Sequence, residues 1–290
     1  MTIIELEGVS YVYGAKTPYE MKALDNINMK IEKGSVTGLI GHTGSGKSTL
    51  VQLLNGLLRP TEGRVLLDGR DIWEEPKKIR EVRFRVGLVM QYPEYQLFDE
   101  TVRSDIAFGM KNMKLPEAEI AERVLEAAAF CDIDESLLDK SPFDLSGGQR
   151  RRAAIAGIIA MRPEVLVLDE PAAGLDPGGR KTLLGGIKKF SRESGTTVMI
   201  VSHSMEDMAQ YCDGAAVLSE GKLYMQGSCA DIFGHPDLLC RVGLDIPHIT
   251  RLNEKLIEMG LELPHDVYTV DYAAEKIAAL LGLRGEVKSL

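Results

Sequence analysis

The chain has 290 residues, of which 44% are hydrophobic and 27% are charged, and its formal net charge is −9. This composition is typical of a globular protein with a substantial core and argues against disorder along the whole chain. A protein that mainly binds nucleic acid neutralises phosphates with Lys and Arg, so the acidic balance argues against nucleic acid as a partner.

The N-terminal part of the sequence changes from alternating to uniformly apolar patterns. Residues 3–7, 9–13 and 27–31 alternate with a period of two, which predicts antiparallel strands with one buried face. Residues 36–40 are instead a short apolar strand, followed by a glycine-rich turn and a helical pattern over residues 49–54. Residues 165–168 and 198–201 are apolar at every position, which is typical of strands buried on both faces in a parallel sheet that helices cover.

The turn after residue 40 carries a phosphate-binding pattern. Its residues fit GxxxxGK[ST] and are Gly41, His42, Thr43, Gly44, Ser45, Gly46, Lys47 and Ser48, with Thr49 next in the chain. The glycines allow backbone amides to surround phosphates, and the following helix adds the positive end of its dipole. We expect Lys47 to contact the β- and γ-phosphates of a nucleotide and the hydroxyl of Ser48 to ligate Mg²⁺.

Two carboxylates follow a predicted buried strand in the second half of the chain. Helices are expected over residues 115–130 and 179–190, and apolar strands over residues 165–168 and 198–201. The first of these strands ends in Asp169 and Glu170. Because burying unpaired charge is costly, carboxylates at this place indicate a function. Asp169 can hold Mg²⁺ through water, and Glu170 can act as the general base on an attacking water.

A second anion site is predicted before a helix at residues 150–156. The preceding residues are Leu145, Ser146, Gly147, Gly148 and Gln149. Ser146 can cap the helix while the glycines expose its first amides. One nucleotide does not need two such sites about a hundred residues apart. Two subunits arranged head to tail do, because each nucleotide then lies between the first site of one subunit and the second of the other. The run Arg150–Arg152 is expected to pair with neighbouring acidic residues.

Together, these motifs resemble the ABC transporter ATPase family, whose signature is LSGGQ, from about residue 3 to residue 235. The resemblance implies an α/β fold of the P-loop NTPase class. Its parts are a parallel core sheet flanked by helices, an N-terminal antiparallel β subdomain and a helical signature subdomain at about residues 92–160. It also implies an ATPase that uses ATP and Mg²⁺.

The resemblance assigns roles to four further residues. Tyr13 matches the aromatic residue that stacks on adenine, and Tyr11 is the alternative. Gln91 matches the Q-loop glutamine that touches Mg²⁺ and senses the transmembrane partner. Asp176 matches the D-loop aspartate that crosses the dimer interface, and His203 matches the switch histidine that contacts the γ-phosphate.

Three stretches are more similar to the ATPases of energy-coupling-factor importers, including cobalt importers, and to the second of their two ATPase subunits. They are the insertion at residues 13–20, the His-Thr pair of the P-loop and residues 91–109. The implied partners are a second similar ATPase subunit, as a heterodimer or as a homodimer when isolated, a membrane coupling subunit and a small substrate-binding membrane subunit. The implied location is peripheral, at the cytoplasmic face of the cell membrane. The imported micronutrient, a vitamin, cobalt or nickel, is left open.

The segment after Gln91 and the C-terminal part are predicted to make contacts with other subunits. Apolar and acidic side chains suited to a docking helix are Tyr92, Glu94, Tyr95, Leu97, Phe98, Asp99 and Glu100. The alternative is that the aromatic residues of this segment pack into the core of their own helical subdomain. Residues 236–290 are expected to form a dimerising extension of two helices, which end near Gly260 and Gly282. The alternatives are an ATPase of another ABC transporter class and a non-transport ABC ATPase.

Overall fold

The computed structural model describes residues 1–281, so the predicted helix end at Gly282 and the residues that follow it lie outside the described part. An antiparallel sheet contains β1 (Thr2–Tyr13), β2 (Met21–Glu32), β4 (Glu62–Leu67) and β5 (Arg70–Asp71). Its strand order is β2-β1-β4-β5. The antiparallel pairing predicted for the N-terminal segments is therefore confirmed.

A mixed sheet forms the centre of the molecule. Its strands are β3 (Val36–Ile40), β6 (Val86–Val89), β7 (Val165–Asp169), β8 (Thr197–Val201), β9 (Gly214–Ser219) and β10 (Lys222–Ser228). The order is β10-β9-β3-β8-β7-β6, in which β9 to β6 run parallel and β10 is an antiparallel edge strand. Every residue of β3, β6, β7 and β8 is buried, because helices cover one face of the sheet while helices and the antiparallel sheet together cover the other.

The helices follow the strands in the alternating order of an α/β protein. They are α1 (Lys47–Leu54), α2 (Ile79–Arg85), α3 (Val102–Asn112), α4 (Glu117–Phe130), α5 (Gly147–Ile159), α6 (Pro177–Ser194), α7 (Met205–Tyr211), α8 (Cys229–Phe233), α9 (Pro236–Arg241), α10 (His248–Glu258) and α11 (Val270–Leu280). α3, α4 and α5 pack on one another and form a helical unit between β6 and β7. This unit lies within the range predicted for the helical subdomain, whose boundaries remain a prediction.

The first strand differs from the expectation of two short strands. β1 is continuous, but its pairing with β2 shifts register between Leu6 and Val9. Gly8 lies at this irregularity with φ +59°, and its amide donates to Asn28 Oδ1 at 2.9 Å. A glycine adopts this left-handed conformation at low cost, so the alternation is interrupted without ending the strand.

The C-terminal segment begins as part of the main core and ends as a pair of packed helices. Leu239, Leu244 and Ile246 are buried in the same apolar cluster as the central sheet. α10 and α11 contact each other. Within residues 1–281, no helix has both the length and the apolar character needed to cross a membrane.

Candidate active site

The turn between β3 and α1 depends on glycines at positions that other residues tolerate poorly. Gly44 and Gly46 have φ values of +83° and +102°. A Cβ at Gly46 would lie 2.6 Å from the Leu24 side chain and 2.7 Å from the Ala23 carbonyl oxygen. The turn therefore wraps closely against β2, and α1 begins directly after it at Lys47. The first amides of α1 are left free to bind an anion.

Lys47 lies inside the turn. Its Nζ donates to the carbonyl oxygens of Gly41 at 2.6 Å and His42 at 3.0 Å. Burial lowers the pKa of this lysine, while the nearby carboxylates Glu170 and Asp169 partly oppose that shift. The ammonium is thus held next to the acidic end of β7, where phosphate oxygens can replace the two carbonyls as acceptors.

A cavity of about 710 Å³ brings most of the predicted residues together. The predicted residues that line it are Tyr13, Gly41, His42, Thr43, Gly44, Gly46, Lys47, Ser48, Thr49, Gln91, Asp169, Glu170 and His203. Ser45 does not line it, since its side chain is fully buried beneath the turn and a Cβ at Gly41 would lie 2.4 Å from its Oγ. Its amide donates to the His42 carbonyl oxygen at 3.1 Å, so the predicted contact of Ser45 with the nucleotide stays a prediction.

The two carboxylates after β7 have different surroundings. Asp169 is 8% exposed and accepts a hydrogen bond of 3.4 Å from Ser48 Oγ. Burial and the neighbouring Glu170 raise the pKa of Asp169, while Ser48 and Lys47 oppose this. Glu170 has φ +50°, and its Oε1 lies 3.0 Å from Nδ1 of His203. The left-handed turn directs the second carboxylate away from the strand and toward the histidine that follows β8.

The cavity contains the oxygen donors that Mg²⁺ prefers. Ser48, Asp169 and Gln91 contribute a hydroxyl, a carboxylate and an amide, and all three line the cavity. No group of three or more His, Cys, Asp or Glu side chains in residues 1–281 could hold a metal ion. Mg²⁺ is commonly bound through one or two carboxylates together with phosphates and water, so a set with the single carboxylate Asp169 fits it.

The structure separates the two tyrosines considered for adenine stacking. Tyr13 lines the cavity, and its hydroxyl lies 3.2 Å from Thr49 Oγ1. Tyr11 packs against the core of the N-terminal sheet and meets Tyr13 edge to face, with ring centroids 4.8 Å apart. The geometry favours Tyr13 for stacking, which remains a prediction.

The signature residues lie outside this cavity at the start of α5. Ser146 Oγ accepts from the Gln149 amide at 3.3 Å, and Gln149 Oε1 accepts from the Ser146 amide at 2.9 Å. This capping box fixes the helix N-terminus. Ser146 and Gly147 are exposed and Gly148 is half-buried. A Cβ added at either glycine would meet no atom of another part of the chain within 4 Å, so this helix terminus is open to solvent.

Asp176 also lies outside the cavity, at the N-terminus of α6. Its Oδ1 accepts from the Gly179 amide at 3.0 Å, and backbone hydrogen bonds from Gly179 and Gly178 lower its pKa. This aspartate is therefore a helix cap within its own subunit. A role across a dimer interface remains a prediction.

Several residues of the cavity were not predicted from the sequence. Met21, Lys22 and Ala23 enter it from the start of β2, and Met205 from the start of α7. Gly243, Leu244 and Asp245 form a wall from the C-terminal segment. The position of Met205, two residues after His203, could have suggested its inclusion. Nothing in the sequence signals residues 243–245, because only tertiary packing brings them to the P-loop.

One acidic residue of the predicted docking segment has a different role. Glu94 pairs with Arg151 inside the molecule, with Nη2 of the arginine 2.8 Å from Oε1. The expectation that Glu94 attracts a partner's basic residues is therefore wrong, because its carboxylate is already neutralised. The same contact confirms, for Arg151, that the arginine run pairs with neighbouring acids.

Comparisons with known proteins show the family to which the chain belongs. The profile of the family described as ABC transporter matches residues 24–173. The energy-coupling factor transporter ATP-binding protein EcfA2 of Clostridium acetobutylicum is 48% identical over 96% of this chain and 98% of its own length. The chain belongs to the ABC transporter family. This membership confirms the predicted resemblance.

Two solved structures of ABC proteins share the fold. The structure of cbiO1 from Clostridium perfringens, part of the ABC transporter complex cbiONQ, is 41% identical with a TM-score of 0.74, over 87% of this chain and 99% of that one. A dimeric ATP-binding cassette in a post-hydrolysis state, bound to ADP and Pi, is 26% identical to this chain with a TM-score of 0.70. The match covers 78% of this chain and 98% of that one. The predicted ABC ATPase fold and ATPase activity are confirmed.

Proposed function

We propose that the chain is the ATP-hydrolysing subunit of an energy-coupling factor transporter, of the second-subunit type, which powers micronutrient uptake through membrane partners. The observation that carries this proposal is the cavity in which Lys47, Gln91, Glu170 and His203 meet. The name of the relative in C. acetobutylicum supports the transporter class. The membership of cbiO1 in the complex cbiONQ supports an assembly with further subunits.

The proposed chemistry is hydrolysis of ATP. Water attacks the γ-phosphorus and gives a proton to Glu170, the bond from that phosphorus to the bridging oxygen breaks, and ADP and phosphate are released. Glu170 polarises the water, and His203, 3.0 Å from its carboxylate, orients that carboxylate and contacts the γ-phosphate. Lys47 and the amides of the P-loop bind the phosphates. Ser48, Asp169 and Gln91 would hold Mg²⁺, which neutralises charge on the β- and γ-phosphate oxygens when bound. Tyr13 stacks on adenine at the other end of the cavity.

A second ATPase subunit completes each site in this proposal. Ser146, Gly147, Gly148 and Gln149 lie outside the cavity of their own chain, at a helix terminus that is open to solvent. They would bind the nucleotide held by a partner, and Asp176 would cross the interface beside them. Within residues 236–290, α10 and α11 would extend this contact away from the nucleotides, whereas Gly243, Leu244 and Asp245 line the nucleotide cavity.

An apolar groove would receive the membrane coupling subunit. The groove has a volume of about 570 Å³ and is lined by Leu97, Phe98 and Phe108, among other residues. Phe98 is 61% exposed, and its ring meets that of Phe108 edge to face with centroids 4.9 Å apart. Such a groove fits the apolar face of an amphipathic helix. Docking here would hold the chain peripherally at the cytoplasmic face of the membrane, and a small membrane subunit would capture the substrate.

Affinity purification of the tagged chain from native membranes tests the transporter class. We expect a second, similar ATPase and a single coupling membrane protein to be recovered with it. Recovery of two large permease subunits, or of no membrane protein, would contradict the energy-coupling factor assignment and leave the ATPase activity intact.

A substitution in the groove tests the docking surface in the same purification. Phe98→Asp should reduce recovery of the membrane protein about tenfold or more, because it places a charge in an apolar contact. Leu125→Asp is the matched control, since Leu125 is an exposed residue of α4 that does not line the groove. Equal recovery with both variants would show that the partner docks elsewhere.

A further inference from the structure

Arg151 is an arginine in the first half of the signature helix α5 that is almost completely buried. It is 6% exposed. Its Nε and Nη2 donate to the two carboxylate oxygens of Glu94 at 3.1 and 2.8 Å, and its Nη1 donates to the carbonyl oxygen of Ala173. One side chain of α5 thus contacts two separate loops. A bidentate pair of this kind fixes both the distance and the relative orientation of the guanidinium and the carboxylate.

The two loops contacted by Arg151 both carry residues of the proposed ATPase machinery. Glu94 lies in the short 3₁₀ turn Pro93–Gln96, three residues after Gln91. Ala173 lies between Glu170 and Asp176, and its amide donates to the Glu170 carbonyl oxygen at 3.1 Å. A displacement of either loop relative to α5 would therefore break a hydrogen bond to the guanidinium.

The Gln91 loop also bears local strain beside this contact. Tyr92 has φ +56°, which is unfavourable for a residue with a large side chain. The Arg151 guanidinium lies over its ring, 5.9 Å from the centroid. Burial by itself would raise the pKa of Glu94, but hydrogen bonding to Arg151 lowers it overall, so the carboxylate stays ionised. The loop conformation is held by contacts from α5.

Stability alone does not account for this ion pair. The desolvation of two buried charges largely offsets their attraction, and apolar residues of similar size often replace such pairs without loss of stability. The chain contains another two-pronged pair, Arg85 with Glu164, at 2.5 and 3.0 Å, which is half exposed and lies at the opposite end of β6 and β7. That pair touches neither the Gln91 loop nor the segment before Asp176.

We propose that Arg151, through Glu94 and the Ala173 carbonyl, is a positioning residue that holds the Gln91 loop and the Asp176 turn in fixed register with the signature helix. This rests on the proposed function, because it assumes that these three elements serve ATP hydrolysis. The pair has no contact with the cavity, so it acts on the rate through the placement of other residues and leaves binding of ATP unchanged.

The decisive experiment replaces the pair by two apolar residues. In the full chain, Arg151→Met with Glu94→Met should keep the Tm within a few degrees of the parent, because no unpaired charge remains. Its Kd for ATP, measured in the Glu170→Gln background, should be unchanged. Its kcat should fall between about tenfold and a hundredfold, as expected when reacting groups are misplaced by about 1 Å. The same double change at Arg85 and Glu164 is the control and should keep the parental kcat.

A second variant covers the case in which the double variant fails to fold. Arg151→Lys keeps the charge but loses the two-pronged geometry, so kcat should fall while KM stays constant. Parental kcat in the double variant, or in Arg151→Lys, overturns the positioning role. All kcat values are measured on the chain together with its partner ATPase subunit. A parent assembly that does not hydrolyse ATP contradicts the proposed function itself, so the two failures are distinguishable.

Discussion

Asp169 and Glu170 are adjacent in the chain but face different physical environments. Asp169 is the last residue of β7 and keeps the burial of the strand, which raises its pKa. Glu170 leaves the strand through a left-handed turn, and its amide donates to the Val201 carbonyl oxygen at 3.0 Å. One backbone turn thus divides the proposed roles of metal holder and general base between neighbouring carboxylates.

The general-base role of Glu170 predicts a separation of binding from hydrolysis. Glu170→Gln keeps the size of the side chain and removes its basicity, so kcat should fall by about a hundredfold or more while ATP still binds. Turnover and nucleotide affinity measured on the same preparation check this. Rapid turnover in the variant would show that another group activates the water.

The burial of Asp169 predicts that this carboxylate lowers the folding stability of the nucleotide-free chain. The pKa of Asp169 in the folded chain is above its ordinary value of 3.8, so the ionisation of Asp169 lowers the stability of the fold as pH rises through that pKa. Asp169→Asn should therefore raise the Tm of the nucleotide-free chain at pH 7 by about 2 °C.

The same variant should lose the extra stabilisation that Mg²⁺ with ATP gives the parent. Thermal melts with and without Mg²⁺ and ATP measure both effects. Asp237→Asn, at an exposed carboxylate, is the control and should alter neither. A lower Tm for nucleotide-free Asp169→Asn would contradict the assigned cost of burying the charge.

At the scale of elements, two helix N-termini provide the proposed anion sites. α1 begins directly after the glycine turn, whose geometry leaves its first amides free. α5 begins with a capping box, which satisfies the Ser146 and Gln149 amides while Gly147 and Gly148 stay open. The same helix carries Arg151, so its N-terminus and the loop contacts belong to one rigid element.

The capping role and the anion-binding role of Ser146 can be separated by substitution. Ser146→Asp retains a good N-cap and should keep the parental Tm, whereas Ser146→Ala should lose about 1 kcal/mol of stability. The added carboxylate should nevertheless repel the nucleotide of the partner subunit and reduce kcat about tenfold or more. Parental kcat in Ser146→Asp would indicate that the helix terminus does not approach phosphate.

At the scale of the whole molecule, the C-terminal segment both packs against the core of the ATPase fold and lines the candidate active-site cavity. Leu239, Leu244 and Ile246 pack with the central sheet, and Asp245 lines the cavity. Beyond them, His248 contacts Glu206 of α7 at 2.7 Å, close to the histidine that follows β8. The exposed apolar residues of the two last helices lie further from the core.

This arrangement predicts different effects for two truncations. A chain ending at residue 247 keeps Leu239, Leu244 and Ile246 but loses the contact of Tyr268 with Phe233, which lies away from the cavity. It should therefore bind ATP with parental affinity but dimerise more weakly in the Glu170→Gln background. A chain ending at residue 235 loses the cavity wall and exposes core residues, so its Tm should fall by about 5 °C or more. Analytical ultracentrifugation and thermal melts compare them. Equal dimerisation of the 247-residue chain and the parent would exclude a dimerising role for α10 and α11.

The sequence by itself determined the features that depend on local chemistry. The glycine turn, the carboxylates after β7 and the cap at Ser146 are short patterns whose residue types permit one backbone solution or one kind of ligand. Strands that are apolar throughout predicted the parallel sheet because such strands must be covered on both faces. Thirteen of the residues named from the motifs and from the family resemblance line one cavity.

Tertiary structure alone decided which distant residues meet. The wall formed by Gly243, Leu244 and Asp245, the choice of Tyr13 over Tyr11 as the cavity residue, and the pairing of Glu94 with Arg151 depend on chain segments that packing brings together. The sequence around Glu94 does not show whether its carboxylate faces solvent or a buried arginine, because its partner Arg151 lies 57 positions away. Contacts of this kind arise from the packing of elements, which no local pattern encodes.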